Sequence, residues 1–139
     1  MYQCTCVCCF LHVRRSLCLL TRSAAHERKL YFTGRLPSFQ PLGCYHDSYY
    51  GRALTDNYAN FRDQIIWKRM ELTVNQCARV AQEAGYEYFA VQYYGECCSG
   101  KDAGKSYAKY GKSTKCWQFN KDKVFGVGKE WTNFVYRIK

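Results

Sequence analysis

The sequence predicts a small, disulfide-stapled α+β domain with one main helix and several short strands. Three observations support this class. The chain has 139 residues, which is enough for one domain and a short appendage. One segment has the apolar periodicity of a helix, and the segments around it are rich in the aromatic residues that strands favour. The chain also contains ten cysteines, an unusually high number for its length.

The main helix is predicted at residues 73–84. Thr73 and Gln76 have the spacing of a capping box, and Gly85 is the expected stop signal. Apolar residues recur there at helical spacing and form one stripe, made of Val74, Cys77, Ala78, Ala81 and Ala84. Cys77 is therefore expected to point inward.

Strands are predicted on both sides of this helix. Residues 86–94 are rich in aromatics and apolar on both faces, which predicts a central strand that Gly95 ends. Its alternation places Phe89, Val91 and Tyr93 on one face and Tyr88, Ala90, Gln92 and Tyr94 on the other. Further strands are predicted at residues 42–45 and 133–138, with a short one at 52–55. Residues 100–128 are predicted to be loops with a helical turn near Tyr107.

Five cysteines follow residue 42: Cys44, Cys77, Cys97, Cys98 and Cys116. An odd number allows at most two disulfides and leaves one thiol. Cys77 on the helix and Cys97 after the strand suit a bridge from helix to sheet, and Cys44 and Cys116 suit a second. Loop closure makes these bridges worth roughly 3 and 4 kcal/mol. The alternative is a cytosolic protein with five reduced, buried cysteines.

Residues 1–42 differ in composition from the rest and are expected to be a poorly structured segment or a degenerate leader. They hold five cysteines, both prolines, and six Lys+Arg against one acidic residue. Charged residues interrupt the apolar run that a secretory leader needs. The segment is expected to contribute little to folding, so that the domain spans residues 43–139.

The net charge of +10 is concentrated at the end of the chain. Residues 43–100 carry five Lys+Arg and seven Asp+Glu, whereas residues 101–139 carry ten Lys+Arg and three Asp+Glu. A local excess of this kind can create a binding face. Apolar runs are too short to predict a membrane-spanning helix.

Aromatic and lysine side chains interleave between residues 93 and 117, a pattern that suits an anionic glycan. The predicted ligand-binding residues are Tyr94, Glu96, Lys101, Lys105, Tyr107 and Trp117. Two ordinary explanations compete, since tyrosine is common at the edge of a small core and loop lysines often only solvate. Single-stranded nucleic acid would fit the same pattern but is disfavoured, because disulfides indicate an extracellular setting.

The sequence contains no convincing catalytic, metal or cofactor motif, so no enzyme is predicted. His46 shares a strand face with Cys44, but a disulfide would prevent that sulfur from acting as a nucleophile. The cysteines at 4, 6, 8 and 9 are too tightly spaced for a zinc site. Gly104-Lys105-Ser106 and Gly111-Lys112-Ser113 lack the earlier glycine that a phosphate-binding loop requires.

Several short motifs together resemble a WSC domain, in particular the reduced WSC-like modules of secreted invertebrate proteins. They cover residues 43–139 and are Gly43-Cys44-Tyr45, Arg52-Ala53-Leu54, Thr73 with Cys77, Gly85-Tyr86, Tyr88 to Gln92, Glu96-Cys97, Ser99-Gly100, Cys116 and Val135-Tyr136. The sequence departs from the family where a second helix-to-sheet bridge is usual, since Ala81 and Ser99 replace that cysteine pair. Cys98 stands where tryptophan is usual.

The resemblance implies a compact fold with one helix packed on a twisted antiparallel sheet, distantly like PAN/apple modules. Carried over to this chain, it implies the pairs Cys77–Cys97 and Cys44–Cys116. It also implies a secreted carbohydrate-binding module. The interleaved aromatic and lysine residues make an acidic glycan the candidate ligand. The rival interpretation is an extracellular protein-interaction or matrix module that docks an acidic partner through its lysine-rich face.

Overall fold

The computed structural model describes residues 35–120, 122 and 124–139. Within these residues the helices are α1, Met70–Glu83, and the short α2, Ala103–Ser106. The strands are β1 Phe39–His46, β2 Asp56–Asn60, β3 Tyr88–Gln92, β4 Glu96–Ser99, β5 Cys116–Phe119, β6 Phe125–Gly128 and β7 Thr132–Ile138. Two short 3-10 turns, Arg62–Gln64 and Trp67–Arg69, lead into α1.

Five strands form one antiparallel sheet in the order β1-β7-β3-β4-β2, and β5 and β6 pair as a separate hairpin. The predicted α+β class, with one main helix packed on an antiparallel sheet, is confirmed. The prediction that the aromatic strand is central is confirmed as well, because β3 lies between β7 and β4.

The first face of this sheet carries the larger core. Phe89 and Val91 of β3 pack there with Phe134 and Tyr136 of β7, under the apolar stripe of α1. The β5–β6 hairpin closes the same core, where Tyr136 Oη donates to the carbonyl of Gly126 at 2.7 Å. Four of the five predicted stripe residues of α1 are buried, and Ala84 is exposed.

The second face of the sheet carries a smaller core. Tyr45, Ala90 and Val135 lie there, covered by Leu54 from the loop after β1 and by Ala103 of α2. Ala90 and Gln92 thus occupy the opposite face from Phe89 and Val91, as the predicted alternation requires.

Both proposed disulfides are present. Cys77 of α1 joins Cys97 of β4, and Cys44 of β1 joins Cys116 of β5. Cys98 is free and buried.

Three predictions about helices, strands and loops are wrong. α1 begins at Met70, because the 3-10 turn before it already winds the chain, and Thr73 is buried inside the helix instead of capping it. Residues 52–55 form a loop, because the Asp47 carboxylate accepts hydrogen bonds from Ala53 N and Arg52 Nε, each at 2.7 Å. Residues 100–128 contain β5 and β6 in addition to the expected helical turn.

The predicted division of the chain near residue 42 lies close to the first strand. β1 already begins at Phe39, so the predicted division at residue 42 falls within a strand. Pro41 is tolerated there because β1 is an edge strand of the sheet. The remainder of the predicted N-terminal segment, residues 1–34, lies outside the described residues, and so does the cysteine cluster at residues 4–9.

Candidate functional site

Several loops meet at one end of the sheet, which we call the turn end. It comprises the loop at residues 47–55, the loop at residues 61–66, the β3–β4 turn at residues 93–95 and the β6–β7 turn at residues 129–131. Backbone hydrogen bonds tie them together: Phe61 N to Gly95 O at 2.8 Å, Tyr94 N to Gly128 O at 2.8 Å, and Asp47 N to Trp131 O at 3.0 Å. Loops fixed on a rigid sheet in this way are common positions for binding residues.

Three bulky residues at the turn end have left-handed backbone angles. Tyr93, Tyr94 and Trp131 have φ values of 43°, 67° and 52°. Large side chains seldom adopt this conformation, and where they do the residue often serves a binding role. These angles end β3 at Gln92 and turn Tyr93 and Tyr94 out of the strand alternation predicted for them.

A small cavity of about 180 Å³ opens between the β3–β4 turn and the β6–β7 turn. Its lining consists of Arg52, Gln92, Tyr93, Glu96, Glu130 and Trp131. The cavity is smaller than the pockets that enclose drug-sized ligands or large cofactors. Its lining combines aromatic rings with charged and amide groups.

The rings at this cavity are accessible and held in place. Trp131 is 39% exposed and contacts Tyr49, which is 73% exposed, with ring centroids 5.6 Å apart. The Arg52 guanidinium lies 5.8 Å from the Trp131 ring centre, and that of Arg62 lies 3.7 Å from the Tyr93 ring centre. Cation–π contacts of this kind restrict a ring before any ligand arrives.

Arg52 is itself fixed by buried polar groups. Its Nε donates to Asp47 Oδ2 at 2.7 Å, and its Nη2 donates to Gln92 Oε1. Burial alone would lower the pKa of Arg52, but Asp47 and Cys98 together outweigh burial, so that the net shift is upward. The guanidinium therefore stays charged at the base of the cavity.

Cys98 lies beneath the Arg52 guanidinium. Its Sγ is 3.5 Å from Arg52 Nη2 and 3.8 Å from Gln92 Oε1. Burial raises the pKa of the Cys98 thiol to about 11, against an opposing effect of Arg52. The thiol is therefore protonated near neutral pH and is a poor nucleophile.

The six residues predicted to bind ligand do not lie on one surface. Lys101 and Lys105 line a large open cleft of about 780 Å³ at the start of β3. Tyr107 packs on the second face of the sheet, with its ring centre 4.9 Å from Tyr45 and 5.9 Å from Tyr88. None of these three residues lines the small cavity.

The other three predicted residues lie toward the turn end. Glu96 lines the small cavity, and its Oε1 is 3.5 Å from Arg62 Nη1. Tyr94 and Trp117 both contact Trp67, with ring centroids 5.4 and 5.9 Å apart. Of the six predicted residues, Glu96 alone lines the small cavity.

Sequence reasoning missed most of the cavity. Arg52 is far in the chain from the adjacent residues Glu130 and Trp131, and strand pairing brings them together. Lysines and aromatics interleave at residues 93–117, whereas Trp131 lies outside this segment in a short turn between two strands. The adjacent pair Tyr49 and Tyr50, in the loop after β1, was a sequence signal for exposed rings near the cavity, since Tyr49 contacts Trp131.

The part of the chain that the structure describes holds no cluster of three side chains suited to a metal ion. Among those same residues, no helix is long and apolar enough to cross a membrane.

Comparison with known proteins gives one match. The family model of the WSC domain matches residues 41–121, which is more than half of the chain. The match includes Arg52, Gln92, Tyr93 and Glu96 of the cavity and ends before Glu130 and Trp131. No curated protein and no solved structure matches the chain. With the fold, both disulfides and this match in agreement, the chain belongs to the WSC domain family.

Proposed function

We propose that this domain binds carbohydrate outside the cell through the small cavity and its aromatic rim. WSC domains are in general extracellular carbohydrate-binding modules, and two disulfides suit an oxidising compartment. The observation that carries the proposal is the placement of Tyr93 and Trp131, from two different turns, around one cavity with polar side chains at its wall.

The cavity offers the contacts that a sugar ring needs. A flat indole or phenol face packs against the C–H groups of a pyranose, and neighbouring polar groups exchange hydrogen bonds with its hydroxyls. Glu96 and Glu130 supply carboxylate acceptors, and Arg52 and Gln92 supply nitrogen donors. Binding requires little reorganisation, because Arg52 and Tyr93 are already held by their neighbours.

A preference for acidic glycans is the finer form of this proposal. It rests on exposed lysines that lie outside the small cavity, where they would contact other parts of a long anionic chain: Lys101, Lys105, Lys109, Lys112 and Lys115. None of them forms an ion pair among the described residues. The same lysines favour the second candidate function, docking of an acidic protein on the segment at residues 101–115. Asp102 and Glu87 also line the large cleft and weaken its positive potential.

We further propose that the domain is not an enzyme. Hydrolysis of a glycan would require two carboxyl groups in defined roles at the cavity, and Glu96 and Glu130 are the pair to consider. Glu96 is already paired with Arg62. Release of reducing ends from any retained glycan would contradict this part of the proposal.

Retention on a polysaccharide panel tests the binding proposal. The probes are cellulose, chitin, xylan and β-1,3-glucan as neutral polymers, and hyaluronan, chondroitin sulfate and heparin as anionic ones. Wild type should be retained, and Trp131→Ala should lower affinity about tenfold or more. Tyr110→Ala is the matched control, since that ring is also partly exposed, at 40%, but does not line the cavity. Equal retention of wild type and Trp131→Ala would place binding elsewhere.

Salt dependence separates the finer proposals. Screening over about 10 Å at 0.1 M weakens contacts between exposed charges. If lysines bind an anionic polymer, joint replacement of Lys101 and Lys105 by Ala should flatten the loss of affinity with salt. A panel in which neutral polymers alone are retained, with no effect of these lysines, would contradict the acidic preference while leaving carbohydrate binding intact.

A further inference from the structure

A series of ring contacts leads away from the small cavity around the β3–β4 turn. Tyr93 lines the cavity, and its ring centre is 6.2 Å from that of Tyr94. Tyr94 is 5.4 Å from Trp67, which in turn is 5.9 Å from Trp117. Trp117 continues the contacts to Phe119 at 6.2 Å. We call Tyr93, Tyr94, Trp67, Trp117 and Phe119 the aromatic row.

Trp67 is the most accessible ring of the row. It begins the short 3-10 turn before α1 and is 56% exposed. Its indole is nevertheless fixed, because Tyr94 and Trp117 both contact it. An exposed ring held by two others is a ready stacking surface, since little conformational freedom remains to be lost on binding.

A second cleft borders this ring. It has a volume of about 400 Å³, and Trp67, Met70, Phe119 and Phe125 supply its apolar wall. Lys68, Glu71 and Asn120 provide polar groups at its edge. The combination of a flat ring with nearby charged and amide groups repeats the chemistry of the small cavity.

We propose that Trp67 forms a second sugar-binding position, so that the domain binds an internal stretch of a linear glycan and not a single terminal sugar. The proposal rests on carbohydrate binding at the small cavity and extends it. We assign the Trp67 surface to the same ligand because Tyr93 and Tyr94 connect it to that cavity. Filling both positions with one chain makes the second contact intramolecular, which raises affinity.

An oligosaccharide series measures this directly. The probes are fragments, from a single sugar to a hexasaccharide, of the panel polysaccharide that wild type retains. Affinity for wild type should rise about tenfold once a fragment is long enough to reach Trp67. Trp67→Ala should remove this rise and leave affinity for the shortest bound fragment unchanged. Trp67→Phe keeps a ring in the row and should recover part of the rise.

Ile66→Ala is the matched control, because Ile66 precedes Trp67, is also exposed and has no ring. It should keep the full dependence on length. If Trp67→Ala fails to fold, the Trp67 indole N–H signal of wild type decides: it should shift with the hexasaccharide and stay in place with the shortest bound fragment.

The outcomes distinguish this inference from the proposed function. Affinity that does not depend on length, or a length dependence that survives Trp67→Ala, overturns the second position while carbohydrate binding stands. If Trp67→Ala lowers the affinity for short and long fragments equally, the second position is also overturned. Failure of wild type to bind any panel polymer overturns both proposals together.

Discussion

Cys98 is a free thiol, whereas its neighbour Cys97 is part of a disulfide. Cys97 and Cys98 are adjacent in β4, so their side chains point to opposite faces of the sheet. Cys97 is bonded to α1 on the first face, whereas Cys98 faces Arg52 and Gln92 on the second. The side chain of Cys98 is fully buried at 0% exposure. Exchange with the neighbouring disulfide, or a bridge to another molecule, would therefore require the sheet to open.

We expect Cys98 to make stability fall at high pH. Burial raises the pKa of its thiol to about 11 from an ordinary 9.0, so the folded state keeps a proton that the unfolded chain releases. The resulting stabilisation is complete below pH 9 and is lost as the pH rises from 9 to 11. Its size is about 2–3 kcal/mol.

Urea unfolding of wild type and Cys98→Ala across this pH range checks the expectation. The variant lacks the thiol, so its free energy of unfolding should fall less steeply with pH than that of wild type. Curves that run parallel would mean that Cys98 does not contribute to the loss.

Among the elements, α1 shows which local signals suffice and which do not. Its end follows the sequence: Gly85 has a φ of 78°, and Tyr86 N and Gly85 N donate to the carbonyls of Ala81 and Gln82. This is the glycine stop that the sequence predicts. Its start does not follow the sequence, because a 3-10 turn precedes it and packs Trp67 against a distant strand. Tertiary contact overrides the capping pattern of Thr73 and Gln76 there.

The β3–β4 turn depends on a glycine for a steric reason. A Cβ at Gly95 would lie 2.9 Å from the backbone nitrogen of Arg62 and 3.1 Å from its Cα. Gly95→Ala should therefore push the turn away from the loop at residues 61–66, at a cost of about 1–3 kcal/mol. Because that loop carries Arg62, the contact between its guanidinium and the Tyr93 ring should loosen too.

The melting temperature and the affinity for the glycan should both be lower in Gly95→Ala than in wild type. Gly85→Ala is the comparison, since no atom lies within 4 Å of its Cβ and only the left-handed backbone is strained. That variant should lose stability without losing affinity. Unchanged affinity in Gly95→Ala would show that the turn does not set the geometry of the cavity.

For the whole molecule, the sequence predicted the main helix and the central strand, but it predicted few of the contacts between residues that are distant in the chain. Periodicity located α1 and β3, and cysteine positions suggested both disulfides. The β5–β6 hairpin was missed because Lys, Gly and Ser residues masked the short alternation of Trp117, Phe119, Phe125 and Val127. The small cavity was missed because Arg52, Tyr93 and Trp131 become neighbours only through the pairing of β1, β3 and β7.

The N-terminal limit of the folded unit is a testable property of the whole chain. A chain that begins at Arg35 should be about as stable as the full sequence. A chain that begins at Gly43 loses Phe39, whose ring lies 5.4 Å from Phe89 and Tyr136. Loss of a packed phenylalanine and half of an edge strand should cost about 3–5 kcal/mol.

Differential scanning calorimetry of the two shortened chains and the full chain provides the comparison. Equal melting temperatures for the chains that begin at Arg35 and Gly43 would contradict this account of β1. A large loss already at Arg35 would show that residues 1–34 stabilise the domain.

Binding of carbohydrate at the small cavity can be tested directly by an NMR titration that follows the three tryptophan indole N–H signals, those of Trp67, Trp117 and Trp131. Each is assigned by the loss of its signal in the corresponding Phe variant. On addition of the shortest fragment that binds, we expect the Trp131 signal to shift first and to saturate with the measured affinity, because its ring lines the cavity. Saturable binding of the fragment with an unmoved Trp131 signal would contradict binding at the small cavity.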